Sequence, residues 1–246
     1  MSFWSGTLCI PDPRSKPDVM PSLEELFDRG TGGRCTKWRH YFEIYERYVS
    51  RFKGSECAYL EIGVGNGGSL DIFQEYLGDK ARVVGVDSNP DCKQREHDGI
   101  EVLIGNQADA NFLMGSVVPK GPFDIIVDDG GHIPDQQLVS FLSLFPHLKE
   151  GGVYIVEDLH TTFWLGGQAS RFGINFYDFA RGLVEKLSLF HIDQRLMEQY
   201  QLPREQRQSA ITIHNFATSD IFGIHFYDSV VVFEKRKRLE PLSEVR

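Results

Sequence analysis

Short apolar runs that end at a carboxylate or a glycine turn, and that alternate with helix-patterned stretches, constrain this chain more than any other feature. Ala58–Ile62 leads into a glycine-rich loop, and Arg82–Val86 ends at Asp87. Glu101–Ile104 is a third run. Phe123–Val127 ends at Asp128 and Asp129, and Val153–Val156 ends at Glu157 and Asp158. Helical spacing is expected from Ser69 to Leu77 and from Ile133 to Phe145. Short, fully apolar strands joined by helices imply a mostly parallel α/β sheet with helices on both faces. In such sheets, ligands sit beyond the carboxyl ends of the strands. The polar residues Glu61, Asp87, Asp128, Asp129, Glu157 and Asp158 all fall at those ends.

Towards the C-terminus the pattern changes. A helix with Phe176, Phe179, Leu183, Val184 and Leu187 on one face precedes two β-rich segments, Ile211–Phe216 and Gly223–Phe233. A turn at Ser219–Asp220 would make them a C-terminal antiparallel hairpin. At the other end, residues 1–35 are rich in Pro, Gly and charge, with one short helical stretch at Ser22–Asp28, and read as an N-terminal arm. Residues 36–246 read as one domain. Within it, Trp38, Tyr41, Phe42, Tyr45 and Val49 recur at helical spacing, which predicts a helix over 37–52. With Thr161–Phe172, that helix is expected to form a lid.

Bulk properties narrow the function. The net charge is −9, which argues against a nucleic-acid groove. No apolar run approaches the ~20 residues of a membrane span, and no signal-peptide pattern is visible. The four cysteines, Cys9, Cys35, Cys57 and Cys92, form no metal or disulfide pattern. Together these point to a cytoplasmic protein without a nucleic-acid or membrane partner.

The loop Glu61-Ile-Gly-Val-Gly-Asn-Gly-Gly-Ser69 joins the first strand to the first helix. Its glycines allow close backbone approach. The glutamate suits an ammonium such as that of S-adenosylmethionine (SAM) and is a poor neighbour for a pyrophosphate. Asp87, 24 residues after Gly63, stands where a carboxylate binds ribose hydroxyls. Asn106 and Gln107 are expected at the adenine edge. Glu61, Gly63, Gly65, Ser69, Asp87, Asn106, Gln107, Asp128 and Tyr41 form the expected cofactor set.

Asp129, Glu157 and Asp158 would converge at neighbouring strand ends. Three close carboxylates repel one another unless a cation binds, and hard oxygen ligands favour Mg²⁺ or a similar divalent ion. His132 is three residues beyond Asp129 and suits a general base near neutral pH. Helix caps, solvated loop charges and a structural histidine would read the same in spacing alone.

Thr36-Lys-Trp-Arg-His-Tyr41, Tyr59-Leu-Glu-Ile-Gly-Val-Gly65, Gly85-Val-Asp87, Gly105-Asn-Gln107, Phe123-Asp-Ile-Ile-Val-Asp-Asp-Gly-Gly-His132, Gly151-Gly-Val-Tyr-Ile-Val-Glu-Asp158 and Ile224-His-Phe-Tyr-Asp228 occur in one order. In that order and spacing, from about Thr36 to Lys235, the chain resembles the metal-dependent sugar O-methyltransferases of macrolide and related natural-product pathways. The resemblance implies the Rossmann-like class I SAM methyltransferase fold. It also implies Mg²⁺ on Asp129, Glu157 and Asp158, His132 as base, and a homo-oligomer. The chain departs from the family at Gly130-Gly131-His132, where Gly-Ser-His is usual, and at Thr36, where Asp commonly precedes the lysine.

The expected activity is SAM-dependent, Mg²⁺-assisted O-methylation of a small-molecule acceptor, a sugar hydroxyl of a glycosylated natural product. A non-sugar acceptor (polyketide hydroxyl, enol, carboxylate or amine), a nucleotide-binding oxidoreductase and a non-catalytic SAM-binding protein are the competing readings.

Overall fold

A computed structural model describes residues 20–164, 170–191 and 220–238. Its sheet has seven strands in the order β3-β2-β1-β4-β5-β7-β6. They are β1 (Ala58–Ile62), β2 (Arg82–Asp87), β3 (Ile100–Ile104), β4 (Phe123–Asp128), β5 (Leu148–Val156), β6 (Ile221–Phe226) and β7 (Val231–Lys235). β1 to β5 run parallel, and β7 is antiparallel to both β5 and β6. The crossovers place helices on both faces.

Period-two alternation sorts side chains between two cores. Tyr59 of β1 faces α1 (Leu23–Arg29), α2 (Arg39–Val49) and α3 (Gly68–Leu77), whereas Ala58, Leu60 and Ile62 face α5 (Pro134–Leu144) and α6 (Phe176–Val184). Between β3 and β4, the short α4 (Ala110–Phe112) continues as irregular helix to Lys120, a stretch the apolar periodicity does not announce. All five β1 residues are buried, which is why the run reads as continuous rather than alternating.

Three expectations change. First, α1 packs into the body: Ser22 and Glu25 form a reciprocal capping box, Gly30 ends the helix at φ +68°, and Leu23 and Leu26 are buried. The Leu23 amide also donates to Glu46 of α2 at 2.9 Å. Second, the inner face of α2 packs as core. Tyr41, Phe42, Ile44, Tyr45, Tyr48 and Val49 are buried, so lifting it would expose them all. Third, the hairpin lies inside the segment read as one strand, Gly223–Phe233. Ser229 takes φ +65° and Tyr227 N–H donates to Val230 at 2.8 Å, closing a turn between β6 and β7. The expected strand Ile211–Phe216 lies outside the described residues.

Candidate active site

The carboxyl ends of β1, β2, β3 and β4 open onto a cavity of about 430 Å³, within the range of small-molecule sites. The β1–α3 loop forms its floor. Gly63, Gly65 and Gly67 have φ of +97°, +53° and +82°. A Cβ on Gly63 would lie 2.1 Å from the Asp129 carbonyl oxygen, so only glycine lets the β1 and β4 loops approach this closely.

Glu61 is fully buried at the wall of this cavity. One oxygen accepts from Tyr59 Oη at 2.8 Å and from Ser69 Oγ at 3.0 Å. Ser69 therefore orients Glu61. The other oxygen, Oε1, has no hydrogen-bond partner among the described residues, and the Lys37 ammonium lies 3.8 Å away. Burial pushes the Glu61 carboxyl up, against the pull of Lys37. An orphaned buried carboxylate oxygen beside a cavity fits the ammonium of an amino-acid-bearing cofactor.

Asp87 also lines the cavity. It accepts the amides of Val64 (2.9 Å), Gly65 (3.1 Å) and Asn89 (2.8 Å). Burial acts to raise its pKa, but those amides outweigh it and hold the carboxyl below its usual range. Asn106 lines the cavity while its Oδ1 accepts from the Ala108 amide at 2.8 Å. Gln107 reaches the cavity wall, but its side chain is committed. Its Nε2 donates to Asp128 at 3.0 Å and to Ser140 at 3.1 Å, and its Oε1 accepts from the Gly131 amide at 2.9 Å. It braces the Asp128–Gly131 loop rather than offering an amide to an adenine.

Two members of the expected cofactor set lie elsewhere. Asp128 is buried behind the wall, bonded to Gln107, the Gly130 amide and Tyr154, because its place on β4 points it at α5. Burial pushes its carboxyl up to about 6. Tyr41 belongs to a second cavity.

That second cavity, about 220 Å³, is lined by Thr36, Lys37, Trp38, Tyr41, Asp129, Glu157 and Asp158. Thr36, Lys37 and Asp129 line both cavities. Backbone bonds that continue the sheet fix the acids: Asp129 N–H donates to Ile62 (2.9 Å) and Glu157 N–H to Asp128 (3.0 Å). Tyr41 Oη donates to Asp158 at 2.7 Å, and Tyr45 Oη donates to Glu157. His132 Nε2 stands 3.6 Å from Asp158 and 3.9 Å from Asp129. Its Nδ1 is buried without a partner among the described residues. The ligand atoms of Asp129, His132 and Asp158 lie within 4.8 Å of one another, a spacing and donor chemistry that fit a divalent cation.

Glu157 differs from that expectation. It is buried, and it meets Lys37 rather than Asp158: Lys37 Nζ lies 2.9 and 3.1 Å from its two oxygens and 2.6 Å from Asp129. Burial alone would favour the neutral amine, but Asp129 and Glu157 outweigh it and keep Lys37 protonated. Burial and the Asp129 charge push the Glu157 carboxyl up, against the pull of Lys37.

Lys37 and Tyr45 were absent from the expected site. Tyr41 and Tyr45 are four residues apart, so one helix face aims both hydroxyls at the acids, and Lys37 sits just ahead of that helix. That spacing was legible; its target was not. At the rim, Trp38 and Trp164 are exposed and pack around His160, with ring centroids 6.0 and 5.1 Å from it.

Residues 60–159 match the family model Methyltransf_24, a methyltransferase domain. A tetracenomycin rhamnosyl 3'-O-methyltransferase of Streptomyces olivaceus is 30% identical over 89% of this chain and 55% of its own. Mycinamicin VI 2''-O-methyltransferase of Micromonospora griseorubida is 31% identical over 89% of this chain and 54% of its own. The chain thus spans about half the length of the curated relatives it matches. The structure of the MycE methyltransferase of mycinamycin biosynthesis, in complex with Mg, SAH and mycinamycin VI, superposes with a TM-score of 0.71 at 28% identity. It covers 88% of this chain and 54% of that one. Among the described residues, no helix is long and apolar enough to cross a membrane.

Proposed function

Since residues 60–159 are a methyltransferase domain, on a class I SAM methyltransferase fold similar to sugar O-methyltransferases, we propose that this protein transfers a methyl group from SAM to a hydroxyl of a glycosylated natural product with the help of Mg²⁺. The carrying observation is that Asp129 and Lys37 line both cavities, so a cofactor at Glu61 and an acceptor at Asp158 would meet across them. When bound, SAM supplies the methyl group, and Mg²⁺ supplies Lewis acidity that eases loss of a hydroxyl proton.

The chain's residues divide the work. Glu61 Oε1 receives the cofactor ammonium, held in place by Tyr59 and Ser69. Asp87 and Asn106 border its nucleoside. Asp129 and Asp158 would hold the divalent ion, with Glu157 as the third ligand expected from the sequence. His132 takes the acceptor proton at Nε2, and the carboxylates of Asp158 and Asp129 stabilise the resulting imidazolium. Tyr41 orients Asp158 through its 2.7 Å hydrogen bond. Trp38 and Trp164 offer exposed aromatic faces to the acceptor at the rim. The free thiols Cys35, Cys57 and Cys92 accord with a cytoplasmic enzyme.

Calorimetry tests the reading. SAM should bind the purified protein, and glycosides with a vicinal diol should bind more tightly with Mg²⁺ than after EDTA. Metal-indifferent acceptor binding would remove the metal from the proposal while leaving the methyltransferase. Absence of SAM binding would overturn it.

A further inference from the structure

The acid site already contains a cation that the chemistry above leaves idle. The Lys37 side chain is only 5% exposed. Its ammonium lies 2.6 Å from Asp129 Oδ2 and 2.9 Å from Glu157 Oε2. Among the described residues, no other lysine or arginine comes within 4.0 Å of either carboxylate. Glu157 is 1% exposed, so water does little to screen it. A carboxylate buried beside a second acid is stabilised by a positive charge between the two, and in this structure Lys37 provides it.

We propose that Lys37 is the resident counter-cation of the acid site, and that a divalent cation reaches Asp129 and Glu157 only by replacing its ammonium. Mg²⁺ sits about 2.0–2.1 Å from its oxygen ligands. An ammonium already within 3 Å of the same oxygens would then lie close to a double positive charge in a poorly solvated site, and repulsion drives it out. Lys37 lines both cavities, so its flexible stem can carry the ammonium out of the carboxylate pair into that open space. Lys37 is thus a positioning residue: it holds Asp129 and Glu157 together before the metal arrives and sets the affinity with which the metal binds. This inference rests on the metal-assisted reading of the site.

The test is Mg²⁺ titration by calorimetry, without SAM, on the wild-type chain and on Lys37→Met and Lys37→Arg, with melting temperatures measured in parallel. Removing the competing charge should tighten Mg²⁺ binding of Lys37→Met about tenfold or more. That variant should melt below wild type without metal and gain more from Mg²⁺ than wild type does. The arginine fork, which pairs with carboxylates bidentately, should weaken Mg²⁺ binding about tenfold. A lysine that merely supports the fold would weaken metal binding when changed to methionine, so unchanged or weaker binding by Lys37→Met overturns the proposal. If Lys37→Met does not fold, Lys37→Arg decides, and wild-type affinity in that variant overturns it. Equal Mg²⁺ binding by all three removes only the exchange; no Mg²⁺ binding by any of them removes the metal reading as well.

Discussion

His132 and Asp158 face each other at 3.6 Å from backbones that are both left-handed, with φ of +54° and +53°. Non-glycine residues adopt that conformation uncommonly, and histidine, asparagine and aspartate do so most readily. The two loops thus accept local strain to point an imidazole and a carboxylate at one space between the ends of β4 and β5.

This pairing makes asparagine the cleaner replacement for His132, because alanine would add backbone strain to the loss of the base. His132→Asn is expected to fold and to bind SAM like the wild type while turnover falls by about 10²–10⁴-fold. Steady-state rates beside SAM calorimetry check it. Wild-type turnover in that variant would take the base role from His132.

Glu61→Gln keeps the shape of the buried side chain and removes its charge. A hydrogen bond to a charged group is worth about 1.5–3 kcal/mol, so SAM affinity should drop about tenfold to a hundredfold. Unchanged SAM affinity in a folded Glu61→Gln would place the cofactor ammonium elsewhere.

Asp128 links the site to pH. Its carboxyl is raised from 3.8 to about 6 by burial. The folded state therefore binds the proton more tightly than the unfolded chain, so this group makes stability fall as pH rises from about 4 to 6. Above pH 6 the full penalty is present, on the order of 3 kcal/mol. Asp128→Asn removes the titration while its side-chain oxygen can still accept from Gln107. The difference in urea-unfolding free energy between variant and wild type should grow in the variant's favour across that window. A difference that stays flat from pH 4 to 7 would show that Asp128 titrates normally.

Two glycines of one loop should respond differently to alanine. Gly63 has φ +97° and a Cβ there would lie 2.1 Å from Asp129 O, whereas Gly65 has φ +53° with nothing within 4 Å. Gly65→Ala bears only the left-handed penalty, about 1–2 kcal/mol. Gly63→Ala must also push the β1 and β4 loops apart, so it should lose more stability and most SAM binding. Equal melting temperatures for the two variants would contradict this close approach.

Much of the architecture was readable because buried parallel strands leave a local trace. β1, β2 and β4 are largely apolar runs, and each carries a carboxylate at or next to its end that marks the ligand edge. The C-terminal hairpin was legible, but its turn was expected too early, because Asp228–Ser229 lies inside a run that is otherwise β-prone on both sides. The packing of α2 was not legible for a related reason. Aromatic residues at helical spacing show that a face is apolar, but not whether it is covered by the protein's own core or by a ligand.

The sequence by itself determined which residues stand at the strand ends, since strand period and the loop glycines are properties of neighbouring residues. It therefore brought Glu61, Asp87, Asp129, Glu157 and Asp158 to one edge of the sheet. Which atom each of them faces was decided only by tertiary packing. Asp128 and Asp129 are adjacent, yet one is buried against Gln107 and Tyr154 while the other borders both cavities. Lys37 reaches Asp129 across 92 residues and Glu157 across 120. Partners that far apart in the chain leave no local pattern, and burial then sets which charges they can hold.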